Sequence, residues 1–566
     1  MINRYYQQQL SYLRELGIEF SRKHPALAPM LAGQNADPDV ERLLEGTAFL
    51  SGMVQERLDD DFPEIIHGLT ELLFPHYLRP LPAATMIQFR PKPGLKEPLT
   101  IRSGVELASV ERDGQSCTFT TCGDVELLPL TLESVVTRND RVRLSFNLQG
   151  MPLESWQSDS LRLFLRGNYS EAVERFSTLS RHLKGVRLHA GGRSVRLSTE
   201  QGFRVMPEDD GMPLFPYPSN AFRAFLSVQE YFLLPQKFLF FELRGLSWLR
   251  QFGELGSFEV ELELGTDSLE LHGGHLALFC VPAVNLFSHH ADSILLDHRL
   301  PEYRVSPSGG ESYQVYSVER VTGFEQGSAR AREYRPFAMF NPQAEQVPVY
   351  SLRRRQSTLG SGSDLFLSVT YPKKVGQIQR ESLALQVRCT NGQLADKLQY
   401  GDICRPTESS PALAEFSNII PPTMSVECPL GDNLLWRMLS HLYLNQLSLS
   451  KKENLIAMLK LYIFTDSQAR AKVLANTKRV EAIRDLKMET VNRLHRGILV
   501  RGSSLRLQLD PDGFPSRGDM YLFGAMVNRL LSAYSSINSF TQLRVDNLHD
   551  KESFLWPAQI GSRSLV

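Results

Sequence analysis

The chain has 566 residues, of which 42% are hydrophobic and 22% charged, and its 62 basic and 63 acidic side chains leave a net charge of -1. That length exceeds what one hydrophobic core accommodates, so several domains are expected. The balanced charge excludes a nucleic-acid binder relying on a global basic field, and six cysteines are too few for a disulfide framework and point to a reduced compartment.

The front end reads as helical. MINRYYQQQLSYLREL lacks the apolar core and small-residue cleavage site of a secretory signal. Tyr6, Leu10, Leu13, Gly17 and Phe20 recur at helical spacing until His24-Pro25. Asp37 offers an N-cap with Pro38 at the first helical position. Leu43, Thr47, Leu50, Val54 and Leu58 then trace a second stripe up to Phe62-Pro63. A third stripe, Ile65/Ile66, Leu69 and Leu72/Leu73, ends in Pro75, Pro80 and Pro82.

From Ala84 the period changes to two. MIQFRP, LTIRSGVELASV, CTFTTCGDVELLPLTLESVVT, RVRLSFNLQ and LRLFLRG read as short strands separated by turn residues. The texture resumes near Phe238 with FLFFELRG, SFEVELELG and HLALFCVPAVNLF, and continues through YRVSPS, YQVYSVERVTG, LFLSVTYP and LALQVRCT. A helix around Asn168–Leu183 and a proline-rich loop from Met206 to Pro218 interrupt the strands. Beyond Pro421-Pro422, LLWRMLSHLYLNQLSL and ENLIAMLKLYIF read as apolar helices and Asp466–Asp485 as a polar one. SLRLQLD, PDG, GDMYLFGAMVNRLLSAYSS and SFTQLRV follow as strand, turn, helix and strand. The fold class is therefore α+β and multidomain. It comprises a helical region (1–82), two β-rich, sandwich- or barrel-like modules (83–235 and 236–420) and a mixed C-terminal domain (421–566). The longest stretch free of Asp, Glu, Lys and Arg, Leu271–Ala291, holds two glycines, a proline and four histidines and does not suit a membrane span.

Each cluster that could carry chemistry has a plainer reading. Asp59-Asp60-Asp61 precedes a proline and reads as a solvated helix end. His289, His290, Asp292, Asp297 and His298 have the side chains for zinc but not a ligand spacing, and the intervening Ile294-Leu295-Leu296 reads as an inward-packing strand. Cys117 and Cys122 lack a second cysteine pair and read as buried thiols. Ser448–Lys451 matches SxxK without a KTG partner. Gly360–Ser363 is neither a phosphate loop nor a nucleophile elbow. Asp510–Gly513 reads as a turn rather than a calcium loop. No catalytic residue, cofactor or metal site is expected. The candidates for partner contact are Tyr5, Tyr6, Leu10 and Leu13 on the first helix, and Arg353, Arg354 and Arg355 beside a Ser/Gly loop.

Four groups of strings resemble the TssF (VasA/ImpG) family of the type VI secretion baseplate. They are DPDVERLLEG, DDDFPE and LFPHYLRPLP (37–82); FCVPAVNLF, SILLDH, EYRV and YQVYSVERVTG (279–323); RCTNGQL, NIIPPT and LLWRMLSHLYLNQLSL (388–449); and YLFGAMVNRLLSAYSSINSFTQL (521–543). The resemblance implies a cytoplasmic wedge subunit in a baseplate docked at the inner-membrane complex, without enzymatic activity, nucleic-acid binding or membrane insertion. Its implied partners are TssG, TssK, a second copy of TssF, the VgrG spike, and the components that initiate tube and sheath. The alternatives are a wedge protein of another contractile machine or prophage tail, and a β-rich carbohydrate-active enzyme with paired carboxylates.

Overall fold

The computed structural model describes almost all of residues 74–430 and 449–561, the helical stretch 38–51 and a few positions elsewhere before 74. Outside the description lie 206–210, 326–330, 338–347, 358–361, 372–379, 465–469 and several shorter pieces. The chain forms two compact units, Met1–Leu73 with Gly431–Leu439, and Phe74–Leu430 with Ser440–Val566. In the first unit the stretch 38–51 is helical as expected, but the apolar stripe marked by the sequence points outward. Leu43 and Leu50 are 73% and 66% exposed, while Val40, Leu44, Ala48 and Ser51 form the more buried face. The two faces lie one residue apart, about 100° around the helix. Val54, Leu58, the Asp59–Asp61 triplet and most of LLWRMLSHLYLNQLSL lie outside the described residues.

The second unit is a set of sheets whose strands come from distant parts of the chain. A six-stranded antiparallel sheet runs in the order Ile403–Arg405, Glu106–Ser109, Thr118–Thr121, Cys280–Val284, Ala84–Pro91, Ala414–Asn418. A five-stranded sheet has Ser257–Leu264 at its centre, and there the period-two pattern is fully expressed. Phe258, Val260, Leu262 and Leu264 are buried on the core face. On the other face Arg141 and Arg143 clamp Glu261 at 3.0 Å each, and Arg187 and Arg196 clamp Glu263. Burial alone would raise the Glu261 carboxyl; the two arginines hold it below the usual range. A smaller sheet ends in Leu276–Leu278, and the chain steps from it into the six-stranded sheet at Phe279, which has φ 56°. A bulky residue in that region is held by its surroundings: the Phe279 carbonyl accepts from Phe89 N at 3.0 Å.

Residues 287–390 form a barrel-like sheet of eight strands. Its two ends meet where Ala291 bridges to Pro307, with Asp292 N donating to Ser306 O (2.8 Å) and Ser308 N to His290 O (3.0 Å). Closure removes open edges, and the interior fills with Val321, Leu367, Leu383, Val387 and Cys389 among others.

The C-terminal part holds a sheet in the order Ile483–His495, Ile498–Leu509, Ser539–Asn547, Ser553–Leu555. Its second and third strands are parallel, so their connection is a helical crossover. Five helices pack in this region: α1 (Tyr169–His182), α2 (Ala224–Leu233), α3 (Lys452–Leu461), α4 (Arg470–Glu481) and α5 (Arg517–Ala533). Asn168 caps α1 by accepting from Ser170 N, and Ser516 caps α5 by accepting from Asp519 N. The crossing of α1 and α5 is close because residue 518 is glycine. A Cβ there would lie 2.4 Å from Val173 O.

Candidate functional site

Four of these helices meet around one buried carboxylate. Asp519, in the first turn of α5, is fully buried and accepts from Arg479 Nε at 2.7 Å and Nη2 at 3.2 Å. It also accepts from the Tyr169 hydroxyl of α1 and from Tyr231 OH of α2 at 3.4 Å. Arg479 Nη1 donates to Asn476 Oδ1 (2.7 Å), and Asn476 Nδ2 donates to Phe232 O (3.1 Å). Lys472 Nζ donates to Leu233 O, so two α4 side chains cap the carbonyl end of α2. Burial first pushes both tyrosine hydroxyls well above their ordinary range, followed by Tyr231 and then Asp519 for Tyr169, and by Asp519 for Tyr231. Burial and then Arg479 bring the Lys472 ammonium down to about 8. Apart from the Arg479–Asn476 bond within α4, every polar contact here fastens one helix to another, and the arrangement is a keystone.

A second clasp is built from the LFPHYLRPLP string. Phe74, His76, Tyr77, Leu78 and Leu81 are buried. The Tyr462 and Tyr217 hydroxyls lie 3.2 and 3.4 Å from His76 Nε2, and Tyr77 OH donates to Leu461 O at 3.2 Å. The Phe225 and Tyr462 rings stack at 5.6 Å. Burial, and secondarily Arg79, lower His76 to about 3, so it is neutral at ordinary pH. Leu81 and Val426 exchange backbone hydrogen bonds of 2.7 and 2.9 Å. This fastens the chain just after it enters the second unit at Phe74 to the chain just before it leaves at Leu430.

The residues singled out in the sequence are scattered. Tyr6, Leu10 and Leu13 are helical and half-buried, beside exposed Gln7 and Ser11; Tyr5 lies outside the described residues. Arg353, Arg354 and Arg355 sit on the barrel strand Val349–Gln356. Arg354 turns inward and donates to Val315 O (3.0 Å), Tyr316 O (2.8 Å) and Ser363 Oγ (3.1 Å), so it seals the barrel. Arg355 stays at the surface, paired with Glu302 and lying over Phe366. His289 Nε2 donates to Ser308 O, Asp297 accepts from Arg299 N and Tyr303 OH, and Ile294 and Leu296 are buried between them. Cys117 is buried and its thiol is raised to about 11, chiefly by burial. Among the described residues Asp510, Asp512 and His549 place three ligand atoms within 4.8 Å of one another. Arg484 Nη2 already occupies Asp510 at 2.6 Å, and a cation there would face that guanidinium. No described helix is long and apolar enough to cross a membrane.

Interleaved β-modules locked by buried polar clasps define a multi-module structural scaffold. The profile of the type VI secretion system TssF family matches residues 1–563. Type VI secretion system component TssF1 of Pseudomonas aeruginosa is 30% identical over 624 aligned positions, covering 99% of this chain and 98% of the relative. A chain from a TssK-TssF-TssG baseplate subcomplex superposes with TM-score 0.75 at 27% identity, covering 92% of this chain and 99% of the other. A chain of a type VI secretion baseplate complex gives 0.59 at 26% identity, with both chains covered fully. The chain belongs to the TssF family of type VI secretion system proteins.

Proposed function

We propose that the chain is a structural wedge component of a type VI secretion baseplate, acting through assembly and rearrangement rather than bond chemistry. In this reading it joins TssG, TssK and a second copy of itself. The wedges surround the VgrG spike in the cytoplasm, at the inner-membrane complex, and nucleate tube and sheath. The family membership and the two baseplate-derived structural relatives support the role. The observation that carries the mechanism is the outward stripe on helix 38–51, where Leu43 and Leu50 are mostly exposed. An apolar helix face left open suits insertion into a partner's helices. Two copies with one sequence would use different contacts, so some such faces would be covered in only one copy.

Co-expression with TssG and TssK followed by native mass measurement tests the reading. A stable complex with both is expected, and replacing Tyr6, Leu10 and Leu13 with Asp should abolish co-purification with TssG. A wild-type chain that stays monomeric beside both proteins overturns the role. An intact complex from the triple variant overturns the contact at Tyr6, Leu10 and Leu13, and an intact complex after replacing Leu43 and Leu50 with Asp overturns the contact on helix 38–51.

A further inference from the structure

The C-terminal sheet ends in a long strand with a bare side. Ile483–His495, 13 residues long, is the terminal strand of its sheet. Leu486 N turns away from the neighbouring strand Ile498–Leu509 to donate to Asp485 Oδ1 (2.9 Å), so from there on the even-numbered backbone groups face outward. Those of Met488, Thr490, Asn492 and Leu494 have no backbone partner among the described residues, and Thr490, Asn492 and Leu494 are exposed. Sheet edges are commonly blunted by a bulge, a proline or a covering element. Residues 485–495 contain no proline, and the strand's one shift of register comes before them, between Ile483 and Asp485.

The side chains along this edge are incomplete in two ways. Leu494 and Leu499 face each other across the hairpin and are 74% and 68% exposed. A lone exposed leucine carries no message. On the same side of the sheet, however, Met488 faces the buried Leu505, so an apolar row reaches the edge at Met488 and another at Leu494. Glu489, Val491 and Arg493 point to the opposite side. Neither Glu489 nor Arg493 has an ion-pair partner among the described residues; Arg493 donates to Gln542 Oε1 and lies 5.5 Å from the centre of the Phe540 ring.

We propose that this edge pairs antiparallel with the same edge of a second copy of the chain, centred on Val491. Thr490 then exchanges backbone hydrogen bonds with Asn492 of the second copy, and Met488 with Leu494. Across the joint, Leu505, Met488, Leu494 and Leu499 form one continuous apolar row, and the two-fold axis repeats it. On the other side Glu489 meets Arg493 of the second copy, which exchanges Gln542 for the carboxylate. The neighbouring registers are worse. Centring on Thr490 sets Lys487 against Arg493, and centring on Glu489 sets that carboxylate against itself. Centring on Met488 brings Leu494 to Ala482, whose N–H and C=O already bond Lys478 and Asp510. A two-fold contact uses one surface on both copies, unlike contacts made by a single copy. The proposal deepens the assembly reading, and rests on it, by giving the copy-to-copy contact a surface in the second unit.

The test uses the full chain without TssG or TssK. Sedimentation over a concentration series should show a monomer–dimer equilibrium. Thr490→Pro removes an N–H that serves only the joint, so it should weaken the dimer at least tenfold with thermal unfolding unchanged. Glu489→Arg should weaken it to a similar degree, and adding Arg493→Glu should restore it, which a role within one copy would not do. On oxidation Val491→Cys should form a disulfide-linked dimer above the parent's background, because the facing Cα atoms lie about 4.5 Å apart. Asn492→Cys, about 8 Å from its own counterpart, should not. A chain that stays monomeric with no Val491→Cys cross-link overturns the proposal. So does a dimer indifferent to Thr490→Pro, or a charge swap that the double variant leaves unrescued. If Thr490→Pro lowers the unfolding temperature, the charge swap and the cross-link decide. Because no wedge partner is present, failure here is separate from failure to form a complex with TssG and TssK.

Discussion

Replacing Asp519 with Asn tests whether four helices depend on one carboxylate. The substitution keeps the side chain's shape and removes its charge, leaving Arg479 almost fully buried with no anion beside it. Breaking a buried pair by removing one partner costs about 3–5 kcal/mol. Both tyrosine hydroxyls and Arg479 Nη2 converge on Oδ1 while Nε uses Oδ2, so the amide NH2 of asparagine must face one set of donors, which places the loss toward the upper part of that range. At about 1.4 kcal/mol per tenfold, the locally open population should rise on the order of 10³-fold or somewhat more. Hydrogen exchange read by mass spectrometry on peptides from 224–233, 470–481 and 517–533 measures this directly. All three should speed up together, because the carboxylate fastens them to one another. A double-mutant cycle with Arg479→Ala should show a coupling of at least about 2 kcal/mol. A loss below about 1 kcal/mol, additive single effects, or faster exchange confined to α5 would refute the keystone argument.

Three further outcomes are expected. His76 sits near pKa 3 in the fold against 6.5 in the unfolded chain, so below pH 6.5 only the unfolded chain takes up the proton. Stability should fall by roughly 2–3 kcal/mol between pH 6.5 and 4.5; His76→Phe should flatten that part of the denaturation-midpoint profile, and an equally steep profile would count against the assignment. Gly518→Ala should destabilise by about 1–3 kcal/mol in chemical denaturation despite alanine's better helix propensity, because its Cβ meets the backbone oxygen of Val173. Arg354→Ala orphans two buried carbonyls and should cost about 2–4 kcal/mol, visible as faster exchange of residues 314–325, whereas Arg355→Ala should change little there.

Local periodicity carried much of the fold. Helix α1 was legible from its Asn168 cap and apolar spacing, and the alternation in SFEVELEL marked a half-buried strand. Helix α2 was not, because all ten residues of AFLSVQEYFL are buried and a helix apolar on every side shows no stripe. The strand Ile483–His495 was hidden by lysine, arginine and glutamate on an edge with little covering it. At the candidate sites the sequence flagged the charged run Arg353–Arg355, but which guanidinium turns inward depends on strand parity and on the carbonyls of Val315 and Tyr316. The Asp519–Arg479 pair had a faint local signal, an acidic residue three positions after the Ser516 cap. Its partners on α1, α2 and α4 are fixed only by tertiary packing.

The order of strands in the six-stranded sheet also sets a timetable for synthesis. Ala84–Pro91 pairs on one side with Cys280–Val284 and on the other with Ala414–Asn418. The second of these neighbours leaves the ribosome about 330 residues after the first strand, a wait of roughly 20–60 s at bacterial elongation rates. Until Cys280–Val284 emerges, about 190 residues on, Met86, Ile87 and Phe89, all fully buried at the end, have no native strand beside them, and until Ala414–Asn418 emerges they are paired along one edge only. The nascent chain thus spends most of its time on the ribosome with an apolar strand in hand, and its yield in a cell depends on what shields that strand until Asn418 emerges.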